Sequence, residues 1–163
     1  MTDRIYDKAF DLLMINEGGY VNDKHDKGGE TKYGISARAY PDLDIKNLTL
    51  DQAKGIYFRD YWLRCKCDKI ADALSVAVFD YAVNSGVKRA IKDLQKVLRV
   101  EVDGIIGNQT LGACARLPLK TIVTQYLNTR MDLLTSLPSF ARYGKGWTAR
   151  IDRVRKVCEG LCG

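Results

Sequence analysis

The stretch IADALSVAVFDYAVNSG, residues 70–86, decides the fold of this chain. It is apolar on nearly every side of a helical projection, whereas a helix at a protein surface carries only one apolar stripe. A helix of this kind has to be buried among others, and Gly86 is a suitable C-terminal stop for it. The stretch therefore predicts a central helix around which the rest of the chain packs.

Helical periodicity continues on both sides of this stretch. Thr49 with Gln52 resembles a capping box that opens a helix from Leu50 to about Leu63, and Ser36 is a candidate cap for a short helix that ends before Pro41. The other predicted helices cover residues 5–17, 87–98, 111–115, 118–137 and 147–161. Since no comparable strand pattern exists, we predict an all-α globule with one irregular loop or short hairpin near the N-terminus.

The composition excludes two classes of protein. The chain has 163 residues, of which 46% are hydrophobic, so it is long and apolar enough to form one compact unit with a packed core. Disorder is therefore excluded. No window approaches the ~20 consecutive apolar residues of a membrane span.

The charges are divided unequally along the chain. Residues 1–81 carry 12 basic and 14 acidic side chains, whereas residues 82–163 carry 14 basic and 6 acidic ones. The first part is thus near neutral and the second strongly positive. A positive field attracts polyanions, and charge alone does not choose between nucleic acid, an anionic membrane surface and a cell-wall polymer.

The cysteines and the N-terminus indicate in which cellular compartment the chain is made. Five cysteines, an odd number, show no spacing typical of a disulfide framework, and Cys-x-Cys with Cys-x-x-x-Cys is not the usual pattern of a zinc ribbon. The N-terminus carries Asp3, Asp7 and Asp11 where a signal peptide needs basic residues and an uninterrupted apolar run. We therefore expect a chain made in the cytoplasm with reduced thiols and without a signal peptide.

The longest irregular segment, residues 20–33, is where we expect chemistry, because long loops in compact domains tend to be functional. Its potential site residues, with the preceding helix end, are Glu17, Asp23, His25, Asp26, Glu30 and Thr31. Glycoside hydrolysis needs two carboxyl groups, one protonated and one ionised. A carboxyl at the end of an apolar helix has its pKa raised by burial. Glu17 fits the acid, and Asp26 or another loop acid fits the second group.

Other interpretations of the same residues remain open. Acidic residues at helix ends and in glycine-rich loops are commonly solvated surface charges. A calcium site is a weaker alternative, because the segment lacks the regular ligand positions of an EF-hand loop. His25 is the only histidine, so a nucleophile activated by histidine would depend on it.

An ordered set of motifs makes the chain resemble glycoside hydrolase family 108, the phage and prophage N-acetylmuramidases that cleave peptidoglycan. The most specific is EGGYVNDKHDKGGETKYGIS, residues 17–36. The others are YW at 61–62, FDYAVNSG at 79–86, A-x-x-x-LQ at 90–95, VDGIIGNQT at 102–110 and GW-x-x-R at 146–150. They span nearly the whole chain in the family's order.

The resemblance implies a lysozyme-like fold and an activity. Residues 1–86 would form a catalytic part with Glu17 as the general acid, and residues 87–163 a peptidoglycan-binding part packed on it. The substrate would be the β-1,4 bond between N-acetylmuramic acid and N-acetylglucosamine. No cofactor or metal, no nucleic acid and no membrane insertion is implied. We expect a monomer that reaches the wall or periplasm through a holin or another route.

A more distant resemblance is to phage-type lysozymes, whose pattern is Glu, eight residues, Asp, five residues, Thr. Here Glu17 and Asp26 keep the first spacing, but only four residues separate Asp26 from Thr31. By physical role, Thr31 would position the attacking water and Asp26 would hold it from the other side. Because the second spacing departs from the pattern, Glu30 remains an alternative to either residue.

Further residues are candidates for substrate binding: Tyr20, Glu30, Tyr33, Trp62, Asp80 and Asn84. Asp80 and Asn84 lie four apart on one helix face, where they would bind sugar hydroxyls or N-acetyl groups. Alternatively, Asp80 would only fix the Glu17 loop by accepting backbone N–H bonds. Tyr81 and Trp147 are further aromatic candidates for stacking on sugar rings. The glycines of residues 102–110 are best explained by tight turns.

Two other functions remain as hypotheses. The scaffold would also serve a non-catalytic protein that binds the wall or assists secretion. The basic second half would suit nucleic-acid binding, although its helices carry no recognisable docking motif.

Overall fold

The computed structural model describes residues 4–17, 20–22 and 29–162. The sequence predictions on Asp23, His25 and Asp26 therefore lie outside the described residues. The described part contains seven α-helices: α1 (Arg4–Asn16), α2 (Leu50–Tyr57), α3 (Asp72–Ser85), α4 (Val87–Leu98), α5 (Asn108–Arg116), α6 (Leu119–Ser136) and α7 (Phe140–Leu161). The predicted all-α fold is confirmed.

The central element is α3. Every residue from Ala73 to Ala82 is buried, and the helix packs against α1, α4, α6 and α7. Gly86 ends it with a φ of 100°, a conformation that side-chain-bearing residues rarely adopt. The prediction of a buried central helix that stops at Gly86 is confirmed.

The entry into α2 also follows the sequence prediction. The Thr49 hydroxyl accepts a hydrogen bond from the Gln52 backbone at 3.1 Å, and the Gln52 side chain accepts one from the Thr49 backbone at 2.9 Å. This is the predicted capping box. A π-helical turn, Phe58–Trp62, continues α2 directly, so the helical segment extends as far as expected.

Two local predictions are wrong. Ser36 begins no helix; its hydroxyl accepts a hydrogen bond from the Ala39 backbone at 3.1 Å and closes a single turn. The last helix begins at Phe140 rather than at Trp147. Gly144 lies within this helix, and a Cβ on it would lie 2.9 Å from the Phe140 ring. The glycine is needed there because the ring lies against the helix backbone.

Three short strands form the only sheet in the described ranges. They are β1 (Val21–Asn22), β2 (Glu30–Lys32) and β3 (Ile35–Ser36), paired antiparallel in that order. Lys32 pairs with Ile35 across a two-residue turn in which Tyr33 and Gly34 have φ values of 53° and 80°. Two positive φ values are what a type I′ hairpin turn requires. The expected short hairpin is therefore present, and Gly34 occupies its tip.

A buried glutamine organises the loop between α4 and α5. The Gln95 amide donates to Asp103 Oδ1 and to the Ile105 carbonyl, both at 2.9 Å. Its oxygen accepts from the backbone N–H groups of Asp103 and Gly104 at 3.1 and 2.9 Å. This loop, which belongs to the VDGIIGNQT segment, is thus built around the glutamine of the A-x-x-x-LQ segment. Gly104 has the positive φ, 77°, of a tight turn, whereas Gly107 has a φ of −111°.

The cysteines are free thiols, with Cys65, Cys67 and Cys158 buried. Within the described residues no group of three or more His, Cys, Asp or Glu side chains is arranged to hold a metal ion. In the same residues, no helix has the length and apolar character needed to span a membrane.

One buried carboxylate links three helices. Asp80 of α3 is 2% exposed and Arg130 of α6 is fully buried, with Arg130 Nη1 2.7 Å from Asp80 Oδ2. Arg150 of α7 approaches the same carboxylate through Nε at 3.1 Å and Nη2 at 3.3 Å. Burial by itself raises the pKa of Asp80, but the two guanidinium groups outweigh burial and hold that pKa below its usual value.

Removing this carboxylate should destabilise the protein strongly. We expect Asp80→Ala to lower the free energy of unfolding by about 3–5 kcal/mol, because Arg130 is left as an uncompensated buried cation. Urea denaturation followed by circular dichroism measures the loss, with the exposed Asp132→Ala of α6 as the control. Replacing both partners, Asp80→Leu with Arg130→Met, should cost less than Asp80→Ala alone. Equal stability of Asp80→Ala and the control would contradict this account.

Candidate active site

Glu17 lies directly after the last residue of α1. Its side chain is 22% exposed, so it is largely enclosed yet reachable from solvent. The preceding residue, Asn16, is held from two sides: its amide donates to the Leu12 carbonyl, and its oxygen accepts a hydrogen bond from Arg153 of α7. The end of α1 is therefore fixed against α7, and this fixes the position of Glu17.

The tip of the β2–β3 hairpin closes over this carboxyl group. A Cβ built on Gly34 would lie 2.6 Å from Glu17 Oε2 and 2.5 Å from the Tyr57 hydroxyl. Such separations leave no room for a methyl group. Glycine is therefore required at position 34 for two reasons. It adopts the positive φ of the turn, and it lets Glu17 and Tyr57 approach the backbone closely.

Tyr57 of α2 holds the turn in place. Its hydroxyl donates a hydrogen bond of 2.7 Å to the Tyr33 carbonyl, and Tyr33 is one of the few non-glycine residues with positive φ in the described ranges. Burial raises the pKa of Tyr57, and the nearby Glu17 carboxylate raises it further. The phenol stays neutral and remains a hydrogen-bond donor.

Arg150 is the cation that lies within ion-pair distance of Glu17 in the described part of the chain. Its Nη1 lies 3.9 Å from Glu17 Oε1, and its side chain is 11% exposed. The rest of the same guanidinium group is bound by the Asp80 carboxylate. Arg150 is thus held by Asp80 in a position from which it faces Glu17.

The environment favours a protonated Glu17. Burial raises the pKa of the Glu17 carboxyl, Arg150 opposes this by stabilising the ionised form, and Asp80 adds to the rise. The net pKa is above the usual value for a glutamic acid. A carboxyl group that keeps its proton at higher pH while remaining partly accessible has the properties of a general acid.

The other candidates of the 20–33 segment lie on the small sheet. The Tyr20 hydroxyl donates to Glu30 Oε2 at 2.6 Å, which links β2 to the residue before β1. Thr31 pairs with Val21 and Ser36 in the middle of the sheet, and it is half-buried. Tyr33 is half-buried in the turn beside Gly34. Of these candidates, Tyr33 is the one that the described residues bring close to Glu17. Its carbonyl accepts the hydrogen bond from Tyr57, and the next residue, Gly34, lies against the Glu17 carboxyl group.

Three predicted contacts with substrate are corrected. Trp62 and Tyr81 have no exposed surface: Trp62 packs edge-on against Tyr6 and Phe79 in the core. Both oxygens of Asp80 are bound by guanidinium groups, so Asp80 is not placed to bind a sugar directly. Among the described residues, the hydrogen bonds that Asp80 accepts through its carboxylate come from the side chains of Arg130 and Arg150.

Two further candidates lie at the surface. Asn84 is exposed, and its Oδ1 accepts a hydrogen bond from Arg130 Nη2 at 3.2 Å. Trp147 is half-buried and stacks on Tyr143, with 5.8 Å between ring centroids.

Sequence reasoning missed Gly34, Tyr57 and Arg150. Gly34 and Arg150 stand inside the quoted segments KYGIS and GW-x-x-R, but nothing in the letters assigns them to Glu17. Tyr57 lies in an ordinary helical pattern. Only the packing of α2, α7 and the hairpin around the end of α1 shows that the three residues belong to one site.

Comparison with known proteins places this chain in a family. The family model described as glycosyl hydrolase 108 matches residues 10–86. The solved structure entitled "Structure of Brucella abortus SagA" is similar over 99% of this chain and 97% of that one, with 34% identity and a TM-score of 0.87. The chain belongs to the glycosyl hydrolase 108 family. A comparison with curated protein sequences finds no match.

Membership of this family confirms the resemblance and implies a glycoside hydrolase that acts on peptidoglycan. The matched residues run from α1 to the end of α3 and include Glu17, Gly34, Tyr57 and Asp80. Arg150 lies beyond them, on α7. In this family 108 protein the environment of Glu17 is therefore completed by the second half of the chain.

A methyl group at Gly34 should impair the site. We expect Gly34→Ala to reduce hydrolysis of purified cell walls by about 100-fold, since displacing a reacting group by about 1 Å has effects of that size. Gly29→Ala is a matched control: Gly29 has a φ of 69°, but nothing lies within 4 Å of the added carbon. Similar activity in the two variants would show that backbone strain, and not contact with Glu17, is responsible.

Loss of Arg150 should change the pH dependence. Arg150 stabilises the ionised form of Glu17, so Arg150→Met should raise the pKa of Glu17 and move the alkaline limb of the activity profile to higher pH. Carboxyl NMR titration of Glu17 measures the same shift independently of turnover. Arg142→Met, an exposed position on the same helix, is the control. An alkaline limb that moves to lower pH would contradict the arrangement.

Proposed function

We propose that this protein is an N-acetylmuramidase that hydrolyses the β-1,4 bond between N-acetylmuramic acid and N-acetylglucosamine, with Glu17 as the general acid. The observation that carries the proposal is the partly enclosed Glu17 carboxyl, whose pKa burial raises. Family membership supports the substrate class.

In the proposed mechanism, Glu17 gives its proton to the glycosidic oxygen as the bond to the anomeric carbon breaks. Glu17 then becomes a carboxylate beside Arg150, whose Nη1 stands 3.9 Å away. An opposite charge at this distance stabilises the ionised product of proton transfer. Asp80 acts as a positioning residue because it holds Arg150 in this orientation.

The second reacting group is proposed from the segment that follows. Asp26 assists the attacking water, and Thr31 positions it; Glu30 is the alternative to either. Glu30 accepts a hydrogen bond from Tyr20, which orients its carboxylate. Tyr20, Tyr33 and Asn84 are the proposed substrate contacts.

The two halves of the chain have different proposed roles. Residues 1–86 carry the general acid, whereas the basic residues 87–163 hold the anionic wall polymer by electrostatic attraction. The enzyme is proposed to act as a monomer after release from the cytoplasm through a holin pore or another route. Contact between the two halves is supported by the pairing of Asp80 with Arg130 and Arg150.

Replacing the general acid tests the proposal. Glu17→Gln should abolish turbidity loss of purified sacculi, because an amide cannot supply the proton, and circular dichroism should show an unchanged fold. Glu101→Gln, an exposed glutamate far along the chain, is the control and should keep full activity. Full activity of Glu17→Gln would exclude Glu17 as the acid.

Mass spectrometry of the released fragments identifies the bond. Fragments that end in reducing N-acetylmuramic acid support the proposal, whereas reducing N-acetylglucosamine ends would show cleavage of the other glycosidic bond. Anhydro sugar ends would show intramolecular attack instead of hydrolysis. Binding to sacculi without any release by the wild-type protein would support the non-catalytic wall-binding alternative.

A further inference from the structure

A large cavity lies beside the candidate active site. Its volume is about 1030 Å³, and it opens between the π-helical turn after α2 and the start of α4. Tyr40, Asp60 and Tyr61 line one side, and Ser85 and Gly86 lie at the junction of α3 and α4. The proposed catalytic step uses none of these residues.

The cavity is lined mainly by cations. Five basic side chains line it: Arg64, Lys88, Arg89, Lys92 and Lys96. Arg89 and Lys96 approach the Asp93 carboxylate at 4.0 and 3.7 Å. Lys88 and Lys92 lie one turn apart on α4, and within the described ranges neither forms an ion pair. Their charges are therefore available to a ligand.

The one acid of the cavity is already engaged. Asp60 accepts a hydrogen bond from the Tyr40 hydroxyl at 2.6 Å and from the neighbouring Arg59 at 2.7 Å. The hydrogen bond from Arg59 holds the pKa of Asp60 below its usual value, although burial opposes it. The negative charge of Asp60 is thus balanced by Arg59. The cavity as a whole is therefore electropositive.

Tyr61 connects the cavity to Glu17. It lines the cavity, and its ring centroid lies 5.6 Å from that of Tyr57. Tyr57 in turn meets Glu17 at the backbone of Gly34. When a glycosidic bond of the polymer lies at Glu17, substituents of the nearby sugars would therefore reach the cavity.

The chemistry of the polymer indicates which substituent fits. The sugar rings of peptidoglycan carry neutral hydroxyl and N-acetyl groups, whereas its negative charges are carboxylates of the peptide stems attached to muramic acid. Lysine and arginine form charge-assisted hydrogen bonds with carboxylates. The concave shape suits a branch that leaves the glycan, since a linear phosphate backbone would need an extended groove.

We propose that this cavity binds the carboxylates of the peptide stems, and that the protein therefore acts on glycan strands that still carry their stems. Lys88 and Lys92 provide the principal contacts, with Arg64 at the opposite wall. This inference rests on the proposed muramidase function, because it names the form of the same substrate.

The test compares two substrates and two double variants. Purified sacculi are used intact or after an amidase has removed the stems, which leaves only the lactyl carboxylate on each muramic acid. Released reducing ends are measured to obtain kcat and KM. The wild-type protein should prefer intact strands by about tenfold in kcat/KM, mainly through KM. In Lys88→Gln/Lys92→Gln the ratio between the two substrates should fall close to one. Lys120→Gln/Lys156→Gln, exposed positions outside the cavity, should keep the wild-type ratio.

Each contrary result has a distinct meaning. Equal kcat/KM of the wild-type protein on the two substrates, or an unchanged preference in Lys88→Gln/Lys92→Gln, overturns the inference and leaves the muramidase function intact. No release from either substrate by the wild-type protein overturns the proposed function, and this inference with it. Inhibition by duplex DNA that depends on Lys88 and Lys92, without any stem preference, would assign the cavity to nucleic acid.

Discussion

The structure depends on one buried carboxylate. Asp80 lies in the middle of the central helix, almost without exposure, within a run of buried residues that are nearly all apolar. An isolated charge in that position would be very costly, so the fold has to bring cations to it. Arg130 and Arg150 meet this requirement from α6 and α7. The ion pairs that offset the cost of burying Asp80 therefore also fix α3, α6 and α7 relative to one another.

The active site follows from this arrangement. Arg150 is bound to Asp80 through Nε and Nη2, and its Nη1 lies 3.9 Å from Glu17 Oε1. The end of α1 is also held from α7 by the hydrogen bond from Arg153 to Asn16. From the other side, Tyr57 fixes the tip of the hairpin through the Tyr33 carbonyl. Glu17 is thus largely enclosed. Burial raises its pKa, and part of the side chain remains exposed to solvent.

The sequence predicted those features whose causes are local. The all-round apolar pattern of residues 72–85, the capping box at Thr49 and the stop at Gly86 depend on residues close in the chain, and the structure has all three. Predictions failed where distant packing decided the outcome. Trp62 is a core residue because Tyr6 and Phe79 enclose it. Helix α7 begins at Phe140, whose ring packs against the backbone at Gly144. Asp80 looked like a sugar ligand because its arginine partners are 50 and 70 residues away.

By itself, the sequence determined a helical chain with a near-neutral first half, a basic second half and one glutamate at a helix end before a glycine-rich segment. These properties follow from composition and short-range pattern. Only the tertiary structure decided that Gly34, Tyr57 and Arg150 surround that glutamate, and that Lys88 and Lys92 line a cavity beside it. The physical reason is that burial and charge pairing depend on distances in space, which residue order does not specify.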